Sequence, residues 1–236
     1  MITISQLTVQ FGGVKAINNL DVRLKASVCG LIGPNGAGKT TLLNTLSGFI
    51  RSHSGTIALN GQWLHPLTPA ERVRRGIRRS FQTEQVVEDL SVNDNILAIL
   101  DHLPVSAKEA KAEVARAVAY VGLTAVAHQL GSSLNLYQRR MVELAKALVG
   151  QPRLLLLDEP GAGMNEAEAL QLRQLILGIP QFCQAQVLLI DHDVALISAT
   201  CEETLVLDFG RCIALGLTRE VLNKPCVRKA YLGEDA

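Results

Sequence analysis

The hydrophobic pattern along this 236-residue chain changes rhythm twice. Residues 2–9 read as a strand, a turn follows at Gly12-Gly13, and a second strand is expected near 20–25. Val28–Ile32 is a short apolar run that stops at Gly33, and a helix is predicted to begin near Lys39. Ser54–Leu64 has the form of a hairpin, with Asn60-Gly61 as its two-residue turn. Thr68-Pro69-Ala70-Glu71 has the form of a capping box with proline at the first helical position. From about 84 to 150 the pattern turns helical. Ser91 is placed to cap a helix through Leu100, and residues 106–121 mix charge with alanine. Leu103-Pro104 and Gly131-Ser132-Ser133 punctuate the stretch. Strand signals return after Pro152, at Leu154–Asp158, Val187–Ile190 and Leu205–Asp208, and Gly178-Ile179-Pro180 is expected to break the intervening helix. No internal repeat or low-complexity segment interrupts the pattern. It predicts an α/β core interrupted by one helical lobe.

Composition narrows the classes. An apolar content of 48% is ample for a core, and a formal net charge of +1 argues against a polybasic nucleic-acid binder or an acidic tail. The local basic run Arg72, Arg74, Arg75, Arg78 and Arg79 reads as a solvated helix face. No apolar stretch reaches the ~18–20 residues that span a bilayer, since the longest run of large aliphatics, Leu154–Leu157, is strand-sized. Met1–Ser5 lacks the features of a signal peptide, so a cytoplasmic protein is expected, with other subunits supplying any membrane part. None of the five cysteines forms a Cys-x-x-Cys pair, and they read as reduced and mostly packed.

The chemistry concentrates in two motifs. Gly33-Pro34-Asn35-Gly36-Ala37-Gly38-Lys39-Thr40 matches the P-loop pattern in full. Its glycines let backbone N–H groups curl around phosphate oxygens, and the helix that follows adds its dipole. Lys39 is expected on the β- and γ-phosphates, and the Thr40 hydroxyl on Mg²⁺, with Thr41 also counted among the nucleotide-binding residues. A chance match of the fixed positions arises roughly once in a hundred chains of this length, and the strand-before, helix-after context lowers that further. Leu154-Leu155-Leu156-Leu157-Asp158-Glu159 has the form of a Walker B strand, which delivers acids to the carboxyl end of a sheet, where ligands sit. Asp158 is the expected Mg²⁺ ligand and Glu159 the group that polarises the attacking water. A lone histidine is more often structural than catalytic, but His192 follows the apolar strand Val187–Ile190 and is read as a γ-phosphate contact. Gln82 could reach Mg²⁺ or its water; by itself it reads as a surface residue.

In this order the motifs resemble the ATP-binding cassette family over almost the whole chain. The resemblance implies that Phe11 stacks on adenine, Gln82 forms the Q-loop, Ala162-Gly163-Met164-Asn165 the D-loop, and His192 the switch histidine. It implies an α/β fold with a P-loop NTPase core, an N-terminal antiparallel β subdomain and an inserted α-helical lobe. The core is expected at about 1–83 and 151–236, the lobe at about 84–150. Family members work as dimers, each ATP lying between one subunit's P-loop and the other's signature motif. Phe11-Gly12-Gly13, Arg79-Ser80-Phe81-Gln82, the D-loop and the tail Ala230-Tyr231-Leu232-Gly233-Glu234 look like ATPases of branched-chain amino acid and urea/amide importers. The tail is also similar to the ATPase of lipopolysaccharide export.

One departure stands out. Where the family has Leu-Ser-x-Gly-Gln, this chain has Leu134-Asn135-Leu136-Tyr137-Gln138, with Asn135 for the serine and Tyr137 for the glycine. A tyrosine brings a Cβ and a ring to the place where backbone should approach the γ-phosphate. Alternatively the ring swings aside and the N–H still serves. The expected function is an ATP- and Mg²⁺-dependent ATPase subunit of an importer for branched-chain amino acids or a related amide. Its partners would be a second, non-identical cassette, two membrane-spanning subunits and a periplasmic binding protein. The alternatives are a lipid or lipopolysaccharide exporter, a soluble cassette of DNA repair or translation, and an ATP-binding module with little hydrolysis.

Overall fold

The structure, a computed structural model, describes residues 1–232. Gly233 and Glu234 of the expected tail lie outside the described residues. In chain order the elements are β1 (Ile2–Phe11), β2 (Val14–Leu24), β3 (Val28–Ile32), α1 (Lys39–Ser47), β4 (Ser54–Leu59), β5 (Gln62–Trp63), α2 (Pro69–Arg74), β6 (Ile77–Arg79), α3 (Val92–Leu97), α4 (Ala107–Tyr120), α5 (Leu136–Leu148), β7 (Leu154–Asp158), α6 (Glu166–Cys183), β8 (Gln186–Ile190), α7 (Val194–Thr200), β9 (Glu203–Asp208), β10 (Arg211–Leu217), α8 (Thr218–Val221) and α9 (Pro225–Leu232). The described residues divide into two compact units, 1–75 with 186–232, and 76–185.

The first unit contains an antiparallel sheet, β2-β1-β4-β5, and a set of strands in which β3 pairs in parallel with both β8 and β9. β10 closes on β9 as an antiparallel hairpin. β2 begins at Val14 rather than near 20, because the Gly12-Gly13 turn returns the chain directly onto β1, pairing Phe11 with Val14. Asn60 and Gly61 both have positive φ, 49° and 80°, as a type I′ hairpin turn requires. β3 and β8 are buried along their whole length, which explains their continuous apolar reading. Thr68 and Glu71 form the expected capping box on α2.

In the second unit β6 and β7 pair in parallel, and α3, α4 and α5 follow one another in the stretch read as helical. Ser91 caps α3, but the helix ends at Leu97. The bonds from Ile99 N to Ile96 O and from Leu100 N to Leu97 O span three residues, so the chain tightens and leaves the α-helical ladder. α6 runs unbroken through Pro180, against expectation. The proline stands in the last turn, where only a few bonds follow it, and the buried Ile176 and Ile179 hold the helix to its neighbours. Tyr120 donates its hydroxyl to the Leu175 carbonyl at 2.6 Å, tying α6 to the end of α4 one residue before Ile176, whose carbonyl loses its donor to the proline. The helix then closes on Gln184, whose αL backbone donates to Pro180 O.

The basic run is only in part a solvated helix face: Arg74 and Arg75, at the end of α2, are exposed, but the others turn inward. Arg72 is 4% exposed, and its guanidinium caps the last carbonyls of α1, Thr45 O and Leu46 O, the latter at 2.8 Å. Arg78 is also buried and donates to Gly150 O at 3.0 Å. Burial lowers the pKa of both below the ordinary arginine value. Five planar donors on a long stem allow a guanidinium to satisfy internal carbonyls, a use invisible in a local count of charge.

Candidate functional site

In the first unit, β3 ends at Ile32 and the chain curls through Gly33–Gly38 into α1. The curl needs its glycines. Gly33 has φ 153° and a Cβ there would collide with Leu207 O; Gly38 has φ 104° and a Cβ would collide with Ala16 O. Pro34 O accepts from Ala37 N at 3.1 Å, tightening the loop. Lys39 lies back across it, donating to Gly33 O at 2.6 Å and Pro34 O at 3.1 Å. Asn35, Gly36 and Thr40 are exposed, while Pro34, Gly38, Lys39 and Thr41 are half-buried and Ala37 is buried. The N-terminus of α1 carries no side-chain cap, so its N–H groups are not engaged by one. A loop of N–H groups, a helix start and a lysine suit a polyphosphate. Phe11, at the end of β1, presents its ring to solvent at 51% exposure, as a stacking residue must.

His192 belongs to the same unit. β8 ends at Ile190, Asp191 is buried, and the His192 side chain is largely exposed, its Nδ1 lying 4.0 Å from Asp191 Oδ1. Asp191 accepts from Asp193 N at 2.9 Å, and Asp193 caps α7. The turn is thereby held from both sides, leaving the imidazole outside the core.

The second unit gathers Gln82, Asp158 and Glu159. Asp158 is buried at the end of β7, its N–H bonded to Ser80 Oγ at 3.1 Å. Glu159 leaves the strand with φ 48°, a left-handed conformation rare for glutamate. Gln82 Nε2 donates to Glu159 Oε2 at 3.3 Å, so the side chains expected in the Q-loop and at the Walker B end meet. Arg79, to which the motifs assign no role at the site, pairs with Asp158 at 3.1 Å. In the sequence it is marked only as the first residue of the Arg79-Ser80-Phe81-Gln82 resemblance, with no role attached. Three basic residues of α5 hold the following loop. Arg140 donates to Gln82 O and pairs with Glu84, Arg139 pairs with Glu88, and Lys146 donates to Gln85 O.

Asn135 and Gln138 form a reciprocal capping box at the start of α5, with Asn135 Oδ1 accepting from Gln138 N at 2.8 Å. The side chain in the serine's place is therefore occupied with its own helix. Tyr137 turns toward α6 and donates its hydroxyl to Gln171 Oε1 at 2.8 Å. Burial, and secondarily the charge of Glu168, raises the pKa of the phenol. Asn165, the last D-loop residue, caps α6 in a box with Glu168.

Among the described residues, no cluster of three or more His, Cys, Asp or Glu is arranged to hold a metal. Taken singly, Thr40 in the first unit and Gln82 and Asp158 in the second each offer a hard oxygen. Oxygen donors of this kind suit Mg²⁺, which is usually held by one or two protein ligands together with phosphates and water.

The ABC transporter family pattern matches residues 17–162. The chain is 34% identical to the high-affinity branched-chain amino acid transport ATP-binding protein BraF of Pseudomonas aeruginosa, covering 99% of this chain and 98% of the relative. It is 34% identical to LivG of Escherichia coli, with the same coverage. The lipopolysaccharide export ATP-binding protein LptB of Acidithiobacillus ferridurans is 36% identical over 88% of this chain and 86% of its own. Among solved structures, an ABC transporter's ATP-binding cassette in its ADP conformation superposes with a TM-score of 0.86 at 26% identity, covering 99% of both chains. Among the described residues no helix is long and apolar enough to cross a membrane. A P-loop built for a polyphosphate, an acidic strand end meeting a glutamine loop, and full-length likeness to these proteins converge: the chain belongs to the ABC transporter family, as an ATP-binding cassette that hydrolyses ATP for transport.

Proposed function

We propose that this cassette drives an importer for branched-chain amino acids or a related amide, at the inner face of the cell membrane. The observation that carries the reading is the 34% identity to BraF and LivG over 99% of the chain, against LptB relatives that are 36% identical over only 88% of it or 28% identical over 99%. Lys39 and the loop N–H groups would hold the phosphates, and Phe11 the adenine. Thr40, Asp158 and Gln82 would hold Mg²⁺, which would neutralise phosphate charge. Glu159, oriented by the 3.3 Å contact from Gln82, is suited to align and polarise water, and His192 to touch the γ-phosphate. The segment 84–150 would form the helical lobe inserted in a core of 1–83 and 151–236.

The partners would be two membrane-spanning subunits, a periplasmic substrate-binding protein and a second cassette. That second cassette is expected to differ from this chain, because Asn135 is engaged as a helix cap and Tyr137 replaces the signature glycine. The test is uptake of radiolabelled leucine, or a short-chain amide, by cells in which the native copy is replaced. Lys39→Ala should abolish uptake and tight binding of a fluorescent ATP analogue. Normal uptake of both solutes, with loss of lipopolysaccharide at the cell surface, would move the assignment to export.

A further inference from the structure

Arg79 ends β6, and its guanidinium lies on the carboxylate that the family motif reserves for the metal. β6 runs parallel to β7 with Arg79 opposite Leu156. Ser80 continues beyond the strand, and its hydroxyl accepts the Asp158 N–H. Residues 79 and 80 thus hold Asp158 by its carboxylate and by its backbone. The Arg79 Nη2 to Asp158 Oδ2 distance is 3.1 Å, and the two side chains are only 8% and 10% exposed. The Phe81 ring lies 5.1 Å from the guanidinium carbon, adding cation–π attraction on another side. Removing one partner of a buried pair strands the other charge, which then takes any cation offered to it.

We propose that Arg79 is a positioning residue for the metal: a built-in cation that orients Asp158 and weakens Mg²⁺ binding there by competing for the same carboxylate. The proposal rests on the reading of Asp158 as a Mg²⁺ ligand. A carboxylate already facing a guanidinium gains less from a divalent ion, because the approaching metal and the arginine repel each other. Asp158 then holds its geometry in the metal-free protein, and contributes modestly to metal retention once a nucleotide is bound.

The experiment is the affinity for a fluorescent ADP analogue in Mg²⁺ and in EDTA, with thermal unfolding followed in parallel. Arg79→Met keeps much of the side-chain bulk and removes the charge. The gain in ADP affinity produced by Mg²⁺ should be about tenfold or more larger than in the wild type, and the unfolding midpoint in EDTA should fall. Arg79→Lys, retaining charge, should show a Mg²⁺ gain near the wild-type value. Asp158→Asn combined with Arg79→Met should recover the midpoint in EDTA and erase the extra Mg²⁺ gain. A Mg²⁺ gain in Arg79→Met no larger than wild type, while Asp158→Asn alone loses the wild-type gain, overturns the proposal and leaves Asp158 as the ligand. If Asp158→Asn alone keeps the full gain, the ligand reading fails and the proposal with it. Should Arg79→Met not fold, Arg79→Gln, which keeps donors but not charge, takes its place: a larger Mg²⁺ gain supports the proposal and an unchanged gain overturns it.

Discussion

Glu159 is held in an unfavourable backbone conformation at the point where the chain leaves β7. A left-handed φ costs a non-glycine residue roughly 1–2 kcal/mol, partly offset on substitution by the entropy of a glycine. Glu159→Gly should therefore raise stability by roughly 0.5–1 kcal/mol in urea unfolding while stopping turnover. Glu159→Gln should leave stability and ATP binding unchanged and also stop turnover, since the amide keeps the shape without the carboxylate. Persistent turnover near the wild-type rate in both would remove Glu159 from the role of base. Arg72 offers the complementary case, a residue whose value is structural. Arg72→Met leaves Thr45 O and Leu46 O without their guanidinium donor inside the core. We expect a loss of about 2–4 kcal/mol, read from the shift of the urea midpoint, with ADP affinity preserved wherever the protein remains folded.

At the scale of elements, four of the described helices begin with matched side-chain pairs. Thr68 with Glu71, Ser106 with Glu109, Asn135 with Gln138 and Asn165 with Glu168 each satisfy two N–H groups at a helix start. Ser106→Ala should cost about 1 kcal/mol through the loss of the cap on α4, measurable as a lower thermal midpoint. The hydrogen bonds from the Ser106 hydroxyl and backbone hold the Glu109 carboxyl below the ordinary glutamate pKa. A depressed folded-state pKa means the contribution is present above the unfolded value and fades as pH falls through the folded one. The difference between wild type and Glu109→Gln should thus shrink on acidification below the usual glutamate range. A difference that grows there would show that the box is not the source.

At the scale of the whole molecule, the signature region sets the expectation for how the cassette is used. Tyr137 is held against Gln171 and Asn135 against its own helix, so two side chains of the motif face local partners. Losing a preorganised donor to a transition state costs about 10²–10³ in rate. The purified chain alone should therefore hydrolyse ATP slowly, and Asn135→Ser with Tyr137→Gly should raise the rate at least tenfold if the donor is restored even in part. Addition of the partner cassette should raise the rate of the unmodified chain. An unmodified chain already turning over at several per second, or a double variant with an unchanged rate, shows that the backbone N–H groups at the start of α5 remain in service beside the turned ring.

The sequence by itself determined the parts of this protein whose physics is local. The P-loop is legible because bending backbone around phosphate demands glycines and a lysine at set spacings. The capping box at Thr68 and the turn at Asn60-Gly61 are legible because each answers to residues within four positions. The buried strands β3, β7 and β8 are legible because continuous apolar runs have few other uses. The tertiary structure alone decided what depends on partners distant in sequence. Arg72 reads as solvated until the end of α1 is seen to need its donors, and Arg79 until Asp158 is seen beside it. Pro180 reads as a break, yet it stands in the last turn of α6, where the buried Ile176 and Ile179 hold the helix in place. β6 and β10 are not legible in the pattern because short strands are specified by the strand beside them. Where a side chain's energy comes from a neighbour tens of residues away, the one-dimensional pattern carries its identity and the fold supplies its use.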